Sequence, residues 1–472
     1  MVLYIFTVTI LNCITVFEAV RPTTVQSGSR SLATQLKSGM NKWRLAFLVF
    51  VLVYAVLVSF DVSTSPIQWD EIAHLNNGSL MLLGDYHELN YFYPPLYDFA
   101  TAGFFKVLGV TVFAGRLVSV TFSLLSLWVV FELAYRIYDG KTALAASILL
   151  GVFPGYFWLS RMAMIETMLV FFFTVSMLFF FSWLRNFQNK MLVLSGLALG
   201  LGFLTKYQML IAGVIMIATI PLLAWNRLKL RFSRFALLII TALLVVTPWI
   251  ALSYNIYASQ MLDKWPYALE VGNPAKSVYS ERFPLPIFYF VEMTWPYSGI
   301  HPISLFIFIL SLLGLGLFAW RRKNADKLLL TWFAVVFVFF TLIPNKHWRY
   351  VVPLFPVLAV SAASFIFFFY EKAASAWRGA VGWGRKHAVK IAAGLFTVFI
   401  ATAMVFSAKA TYDLVAHYQI QIDVQGATTY ACSCLSPNES IMLLCPFNLF
   451  NKDMVKFYLW ADGTRHVHRK KQ

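Results

Sequence analysis

The chain has 472 residues, of which 60% are hydrophobic, 17% aromatic and 12% charged. Soluble domains are about 25% charged and about 45–50% apolar, so this composition excludes an ordinary soluble protein and predicts an all-α polytopic membrane protein. The formal charge of +17 does not indicate a nucleic-acid partner. The Lys and Arg residues lie mostly in short segments between apolar runs, and no basic face with interleaved aromatic residues is left over.

The first 42 residues form an N-terminal segment with two open interpretations. Residues 1–20 are apolar but lack a basic start and a small-residue cleavage site. They are therefore either an extra membrane span or sequence upstream of a natural start near Met40, and we favour the second interpretation. Residues 21–44 carry five basic residues and no acid, which predicts a cytoplasmic position for them.

Apolar runs follow one another between residues 43 and 408. Each run is about 15–22 residues long, and together they predict about eleven spanning helices. The runs lie at residues 45–60, 113–134, 142–159, 165–184, 191–205, 208–225, 235–253, 301–320, 327–344, 350–370 and 390–408. This count places every dense basic loop on the cytoplasmic side and the acidic loop after the first span outside, as the positive-inside rule requires.

Two outer loops are predicted, at residues 61–112 and 254–300. Within the first, residues 97–110 are apolar but short, and a span there would invert the sidedness of every later loop. We therefore expect an interfacial helix on the outer surface. Residues 409–472 are expected to be a polar extracytoplasmic tail or small domain, too short to bury a sizeable core of its own.

The first outer loop carries two adjacent carboxylates, Asp70 and Glu71, followed by His74. If residues 68–82 are helical, His74 lies on the same face as the two acids. Carboxylates near hydrocarbon are costly, so these residues are candidates for proton transfer or, with His74, for holding a divalent cation. The alternative is a solvated loop whose acids complement the dipole at the start of a helix.

Two further signals lie at the outer ends of apolar segments. Glu166 begins an otherwise apolar span close to Arg161, which indicates either a polar cavity or an acid that complements a helix dipole. Tyr93 precedes Pro94 and Pro95, and two prolines predict an extended segment with little conformational freedom. That segment either holds a loop over a site or forms an ordinary turn.

Several cations lie at the outer ends of spans, where the positive-inside rule does not expect them. They are Arg116, Arg161, Lys206, Lys346 and Arg349. Neutralising a lipid phosphate is one explanation for their position. Snorkelling of their long side chains toward the headgroups is the alternative.

These motifs follow one another in a recognisable order. They are Asp70-Glu71, Tyr93-Pro94-Pro95-Leu96, Gly115-Arg116, Arg161 with Glu166, Leu204-Thr205-Lys206, and Arg349-Tyr350 with Pro353 and Pro356. Over residues 43–370 the chain resembles the membrane glycosyltransferases of the GT-C fold. Within them it is similar to the branch related to protein O-mannosyltransferases and lipid A aminoarabinose transferases.

The resemblance implies a fold, an activity and a location. The fold is the GT-C fold, with residues 43–408 as the glycosyltransferase domain. The activity is inverting transfer of a sugar from a polyprenyl-phosphate-linked donor to a lipid, glycan or protein acceptor. The site faces the extracytoplasmic side of the cell inner membrane or plasma membrane. No cofactor is required, because a clamped phosphate is a good leaving group, and a divalent cation is optional.

The resemblance also implies residue roles. Asp70 becomes the general base on the acceptor hydroxyl, Glu71 is a catalytic residue that orients the site or aids Asp70, and Glu166 is the second catalytic carboxylate. Lys206 and Arg349 hold the lipid phosphate. Further substrate-binding residues are expected at Arg116, Arg161, Lys346, Tyr350 and Tyr93. Tyr93 stands where many relatives have His, so a metal role at that position is in doubt, and His74 is the remaining metal candidate.

A transporter or flippase of a lipid-linked or anionic solute is the alternative function. Such a protein needs ionisable residues near the bilayer midplane and broken helices in corresponding halves of the chain. Here the charges gather at the outer rim, and no internal repeat is visible. A non-catalytic scaffold would leave the paired acids and the outer cations unexplained.

Overall fold

The structure is a computed structural model that describes residues 41–65, 67–89, 93–223, 232–270, 287–295, 301–343, 346–417, 423–434 and 450–461. Every regular element in these ranges is a helix. In chain order the α-helices are α1 Lys42–Ser59, α2 Trp69–Leu83, α3 Leu96–Leu108, α4 Val112–Ile137, α5 Gly140–Gly151, α6 Pro154–Arg161, α7 Glu166–Asn186, α8 Asn189–Phe203, α9 Leu210–Leu223, α10 Phe232–Glu270, α11 Phe288–Glu292, α12 Leu305–Arg321, α13 Asn324–Leu342, α14 Phe355–Gly379, α15 Trp383–His417, α16 Val424–Cys434 and α17 Lys452–Ala461. Short 3₁₀ helices occupy Tyr86–Glu88, Tyr207–Met209 and Trp348–Leu354.

The helices confirm an integral, multi-pass membrane protein. In the described part of the chain, seven helices are long and apolar enough to cross a membrane, or eight if α5 and α6, bent by 66°, form one span. Shorter apolar helices lie at Asn189–Phe203, Tyr207–Leu223 and Leu305–Arg321. Each of the eleven predicted runs overlaps one of these helices or the bent pair, but the number that actually crosses the membrane stays a prediction.

Burial separates a central group of helices from a peripheral one. The apolar windows of α4 and α7 are 83% and 89% buried, and that of Trp348–Gly379 is also 83% buried. The windows of α1, α10 and α15 are only 11–22% buried. Helix α7 is apolar on all sides, which is the pattern of a helix in the centre of a bundle. The exposed apolar faces of the peripheral helices fit contact with lipid.

Helices α2 and α3 form a hairpin, here called the outer hairpin after the side of the membrane predicted for it. The helix expected at 97–110 and the possible helix at 68–82 are both present. Glu71 closes a capping box with Gln68 at the start of α2, and Gly84 ends the helix with φ 74°. The hairpin packs closely because a Cβ on Gly78 would lie 2.6 Å from Thr101 Cγ2. The interfacial position of α3 stays a prediction.

Two helices continue beyond the predicted ends of their apolar runs. The sequence predicts an outer loop from residue 254, but α10 continues to Glu270, because helical hydrogen bonding does not require apolar side chains. Residues 271–286 and 296–300 lie outside the described residues, as do residues 1–40. The tail is predicted from residue 409, but α15 continues to His417. Beyond it, Met454 and Phe457 of α17 are fully buried against the outer hairpin.

Candidate active site

The first residue pair of the site joins α2 to the turn before α14. Asp70 lies in the first turn of α2, and its Oδ2 is 2.6 Å from Arg349 Nη2. Both side chains keep access to solvent, with 22% and 23% of their surfaces exposed.

His347 caps the turn that carries Arg349. Its Nδ1 accepts a hydrogen bond of 3.1 Å from the Arg349 backbone N–H. Burial, followed by the charge of Arg349, lowers the pKa of His347 to about 3. The ring therefore stays a neutral acceptor near pH 7, and it holds the backbone of Arg349 in place without adding a charge to the site.

The second residue pair joins the start of α7 to the break after α8. Glu166 is the first residue of α7, where the helix dipole favours an anion. Its Oε1 is 3.1 Å from Lys206 Nζ and 3.8 Å from Arg349 Nη1. Its Oε2 is buried and accepts no hydrogen bond from the residues that the structure describes. Asp70, Glu166, Lys206 and Arg349 therefore form one group, the acid–cation cluster.

Two tyrosines border the acid–cation cluster. The ring of Tyr350 lies 6.0 Å from Lys206 Nζ. Burial, and then the negative charge of Asp70, raises the pKa of Tyr93, so its phenol stays neutral. The segment that follows Tyr93 is tied to the break that carries Lys206, because the Leu96 N–H donates to the Leu204 carbonyl at 2.9 Å. Six of the predicted site residues thus lie in one place: the cluster and these two tyrosines.

Glu71 points away from its neighbour Asp70 and is fully buried. Its two oxygens accept hydrogen bonds of 2.8 Å from Nε and Nη2 of Arg116. They also accept from the backbone N–H groups of Ala163 and Gln68, at 2.7 and 2.8 Å. Ala163 lies in the loop that leads to α7, so this buried pair ties the starts of α2 and α7 together through α4.

Two other predicted substrate-binding cations lie on helix ends instead of in the cluster. Arg161 donates to the carbonyls of Val58, Phe60 and Asp61 at the end of α1. Lys346 is fully buried and donates to the carbonyls of Phe340, Thr341 and Ile343 at the end of α13. Carbonyls at the end of a helix have no partner within it, which explains why buried cations occur there.

His74 lies one turn after Asp70 and faces a partner that the sequence analysis missed. Its Nδ1 is 2.7 Å from Asp98 Oδ1, and Asn77 Nδ2 donates to Asp98 Oδ2 at 2.7 Å. The signal for Asp98 was an acid within the apolar stretch 97–110. Among the described residues no group of three His, Cys, Asp or Glu side chains could hold a metal ion, so the metal role of His74 stays a prediction.

The acid–cation cluster combines two chemical capacities. Two cations with partial solvent access can bind a phosphate group, since Lys and Arg are the side chains that neutralise phosphate most effectively. A carboxylate beside them can act as a proton acceptor. The formal charges of the four side chains sum to zero, so an incoming anion must compete with the carboxylates for the cations.

Comparison with protein families gives a match over part of the chain. The family of dolichyl-phosphate-mannose-protein mannosyltransferases matches residues 93–252. The undecaprenyl phosphate-α-4-amino-4-deoxy-L-arabinose arabinosyl transferase of Erwinia tasmaniensis is 26% identical in an alignment of 343 positions that covers 67% of this chain and 58% of that protein. Its counterpart in Pseudomonas aeruginosa is 27% identical over 340 residues, with the same coverage. The chain thus spans less than two thirds of the length of these relatives.

Comparison with solved structures identifies the fold. The apo structure of ArnT from Cupriavidus metallidurans superposes with a TM-score of 0.61 at 16% identity, covering 92% of this chain and 89% of that one. The archaeal oligosaccharyltransferase AglB from Archaeoglobus fulgidus gives a TM-score of 0.57 at 14% identity, covering 84% and 58% of the two chains. The chain therefore has the GT-C fold, and its sequence is similar to protein O-mannosyltransferases over residues 93–252 and to aminoarabinose transferases.

Proposed function

We propose that the protein is a membrane glycosyltransferase that moves a sugar from a polyprenyl-phosphate-linked donor to an acceptor on the extracytoplasmic side of the inner membrane. The acid–cation cluster is the observation that carries this proposal. It combines two cations with a solvent-accessible carboxylate at the ends of the helices. Two kinds of relative support it: arabinosyl transferases named for an undecaprenyl phosphate sugar, and an ArnT structure solved with undecaprenyl phosphate.

The cations bind the phosphate of the donor. Lys206 and Arg349 both lie within 4 Å of Glu166 Oε1 and are 13% and 23% exposed, so both are within reach of an anion that enters from outside. Their charge stabilises the phosphate as the bond between the anomeric carbon and the phosphate oxygen breaks. The electron pair of that bond leaves with the phosphate, which then needs no proton.

The carboxylate of Asp70 acts on the acceptor. It takes the proton of the acceptor hydroxyl as the hydroxyl oxygen forms a bond to the anomeric carbon, on the face opposite to the phosphate. The anomeric centre inverts. A positioned general base of this kind contributes a factor of about 10²–10⁴ to the rate.

The ion pair between Asp70 and Arg349 gives donor binding a second effect. Arg349 Nη2 lies 2.6 Å from Asp70 Oδ2. A donor phosphate that binds this nitrogen competes with the carboxylate for it. Donor binding therefore weakens the ion pair and makes Asp70 a freer acceptor for the proton of the acceptor hydroxyl.

The remaining predicted site residues have supporting roles in this proposal. Glu71 and Arg116 hold the starts of α2 and α7 in place, and Arg161 and Lys346 close helix ends. None of these four contacts the substrate. Tyr93 and Tyr350 form the wall of the acid–cation cluster and shield the phosphate from bulk water.

The proposal is tested with the full chain in proteoliposomes. Undecaprenyl phosphate carrying labelled 4-amino-4-deoxy-L-arabinose or mannose is supplied with lipid A or a Ser/Thr-containing peptide as acceptor. We expect a covalently glycosylated acceptor, detected by mass spectrometry, together with free undecaprenyl phosphate. Movement of the labelled lipid or solute across the bilayer without any covalent product would instead indicate a transporter or flippase.

A matched pair of lysine variants tests the phosphate site. Lys206→Gln removes a cation of the acid–cation cluster, whereas Lys106→Gln removes an exposed cation on α3. A hydrogen bond to a charged group contributes about 1.5–3 kcal/mol, so we expect Lys206→Gln to weaken undecaprenyl phosphate binding by roughly 10- to 150-fold. Equal binding by both variants would contradict the proposed site.

A further inference from the structure

A buried polar group joins the two helices of the outer hairpin. His74 and Asn77 of α2 both contact Asp98 of α3, at 2.7 Å each. The three side chains are at most 3% exposed. Burial of polar side chains is costly unless they are bonded to one another, so this group contributes to a defined geometry between α2 and α3.

Asp98 orients the imidazole of His74. Asp98 Oδ2 accepts a hydrogen bond from Asn77, and its Oδ1 lies 2.7 Å from His74 Nδ1. Asp98 lies in the first turn of α3, where the helix dipole favours an anion. A carboxylate that accepts requires Nδ1 of His74 to donate. The ring of His74 is therefore fixed in one orientation by a charge-assisted hydrogen bond.

The fixed ring of His74 lies between two tyrosines. Its centroid is 5.1 Å from that of Tyr97 and 5.1 Å from that of Tyr93. Tyr97 is anchored, because its hydroxyl is 2.8 Å from Ser119 Oγ on α4. Tyr93 borders the acid–cation cluster. The segment from Tyr93 to Leu96 ends where the Leu96 N–H donates to the Leu204 carbonyl, close to the break that carries Lys206. His74 thus connects a rigid anchor to the wall of the proposed site.

We propose that His74, oriented by Asp98, is a positioning residue that holds Tyr93 and the segment from Tyr93 to Leu96 against the acid–cation cluster. Its effect on sugar transfer rests on the proposed function, whereas its effect on the position of this segment does not. Since Tyr93 borders Asp70, loss of His74 is expected to lower kcat more than it changes KM for the donor.

A double-mutant cycle tests the contact between His74 and Tyr93. His74→Ala and Tyr93→Leu are made singly and together, and hydrogen–deuterium exchange of the Leu96 amide is measured. Each single variant is expected to speed this exchange by about 2- to 10-fold, the range of an aromatic pair, and the double variant no further. Tyr86→Leu, which removes a ring that contacts Phe99 on the same hairpin, is the matched control. When it is combined with His74→Ala, the effects of the two substitutions on Leu96 exchange are expected to be additive.

A double variant with two uncharged residues at positions 74 and 98 distinguishes loss of the His74 contact from general misfolding. His74→Phe with Asp98→Asn keeps a ring between the two tyrosines and leaves no buried charge, so we expect wild-type exchange at Leu96 and most of the transfer rate. Additive single effects, or an unchanged Leu96 amide in His74→Ala, would overturn the proposal. Loss of transfer by the variant with His74→Phe and Asp98→Asn, at normal Leu96 exchange, would also overturn it, because His74 would then act through its proton. A wild type that transfers no sugar contradicts the proposed function alone, since Leu96 exchange still decides the role of His74.

Discussion

At the scale of single residues, adjacent carboxylates have different environments. Asp70 faces Arg349 at the edge of solvent, whereas Glu71 is fully buried against Arg116 and two backbone N–H groups. A helix turns by about 100° per residue, so neighbours in sequence point to different surroundings. One carboxylate is therefore available for chemistry, and the other holds the surrounding elements in place.

The first prediction concerns Glu71. Glu71→Gln leaves the buried Arg116 without its counter-charge, and removal of one partner from a buried ion pair costs about 3–5 kcal/mol. We expect a clearly lower free energy of unfolding, measured by thermal or denaturant unfolding in detergent. Glu88→Gln removes an exposed acid from the same outer loop and should change stability by less than about 0.5 kcal/mol. Equal stability of the two variants would contradict the positioning role.

The second prediction concerns the pH dependence of stability at His347. Burial lowers the pKa of His347 from its ordinary 6.5 to about 3. Between these two pH values the unfolded chain binds more protons than the folded one. The contribution of neutral His347 to the free energy of unfolding is therefore complete above pH 6.5 and is lost as the pH falls toward 3. His347→Asn keeps an acceptor for the Arg349 N–H but does not titrate. We expect it to lose less stability than wild type between about pH 6.5 and pH 4; identical slopes would contradict this assignment.

The sequence was informative about residues whose role depends on charge and sidedness. Asp70, Glu166, Lys206 and Arg349 stood out because charges at the outer ends of apolar spans need a reason. The same pattern could not separate cations that border the acid–cation cluster from those that bind carbonyls at helix ends. Arg161 and Lys346 belong to the second kind. Every residue has a backbone carbonyl, so the sequence does not show which carbonyls will bind a cation.

At the scale of elements, the site is built where helices begin or end. Asp70 and Glu166 open α2 and α7, Lys206 follows α8, and Arg349 lies in the turn before α14. Apolar length predicted α7, α8 and α14, whereas a helix at residues 68–82, where α2 lies, was only a possibility. The continuation of α10 to Glu270 was missed, because polar side chains can extend a helix beyond its apolar run.

The third prediction tests the packing of the hairpin that presents Asp70. Gly78→Ala places a Cβ 2.6 Å from Thr101 Cγ2, and overpacking of this kind typically costs about 1–3 kcal/mol. Gly103→Ala on α3 meets nothing within 4 Å and should be neutral or stabilising by up to about 1 kcal/mol, because Ala favours helices. The free energies of unfolding of the two variants are compared, and equal effects would contradict the close approach of α2 and α3.

At the scale of the whole molecule, sidedness determines which face of the membrane carries the site. If residue 42 is cytoplasmic, as the loop charges predict, an odd number of spans precedes both the acid–cation cluster and the C-terminal segment. Both are then expected on the outer side. The packing of α17 on the outer hairpin agrees with this arrangement, since Asn76 of α2 donates to the Asp453 carbonyl at 2.9 Å. Both elements must then lie on one side of the bilayer.

The fourth prediction tests this sidedness by thiol labelling in spheroplasts. Cys434 is a free, exposed thiol, and replacing Cys13, Cys432 and Cys445 by Ser leaves it as the single cysteine. A membrane-impermeant maleimide should label it in intact spheroplasts. Arg385→Cys in a variant that also carries Cys434→Ser should react only after permeabilisation, because Arg385 is exposed at the start of α15 on the predicted cytoplasmic side. The reverse labelling pattern would indicate the opposite topology, with the acid–cation cluster on the cytoplasmic side.

The most direct test of the central claim is the Asp70→Asn variant, measured for both sugar transfer and undecaprenyl phosphate binding. Loss of a general base should lower transfer by at least about 100-fold. Because Arg349 is then released from its carboxylate, undecaprenyl phosphate should bind as tightly as to wild type or more tightly. Glu88→Gln should match wild type in both measurements. Transfer by Asp70→Asn at the wild-type rate would contradict the assignment of Asp70 as the base.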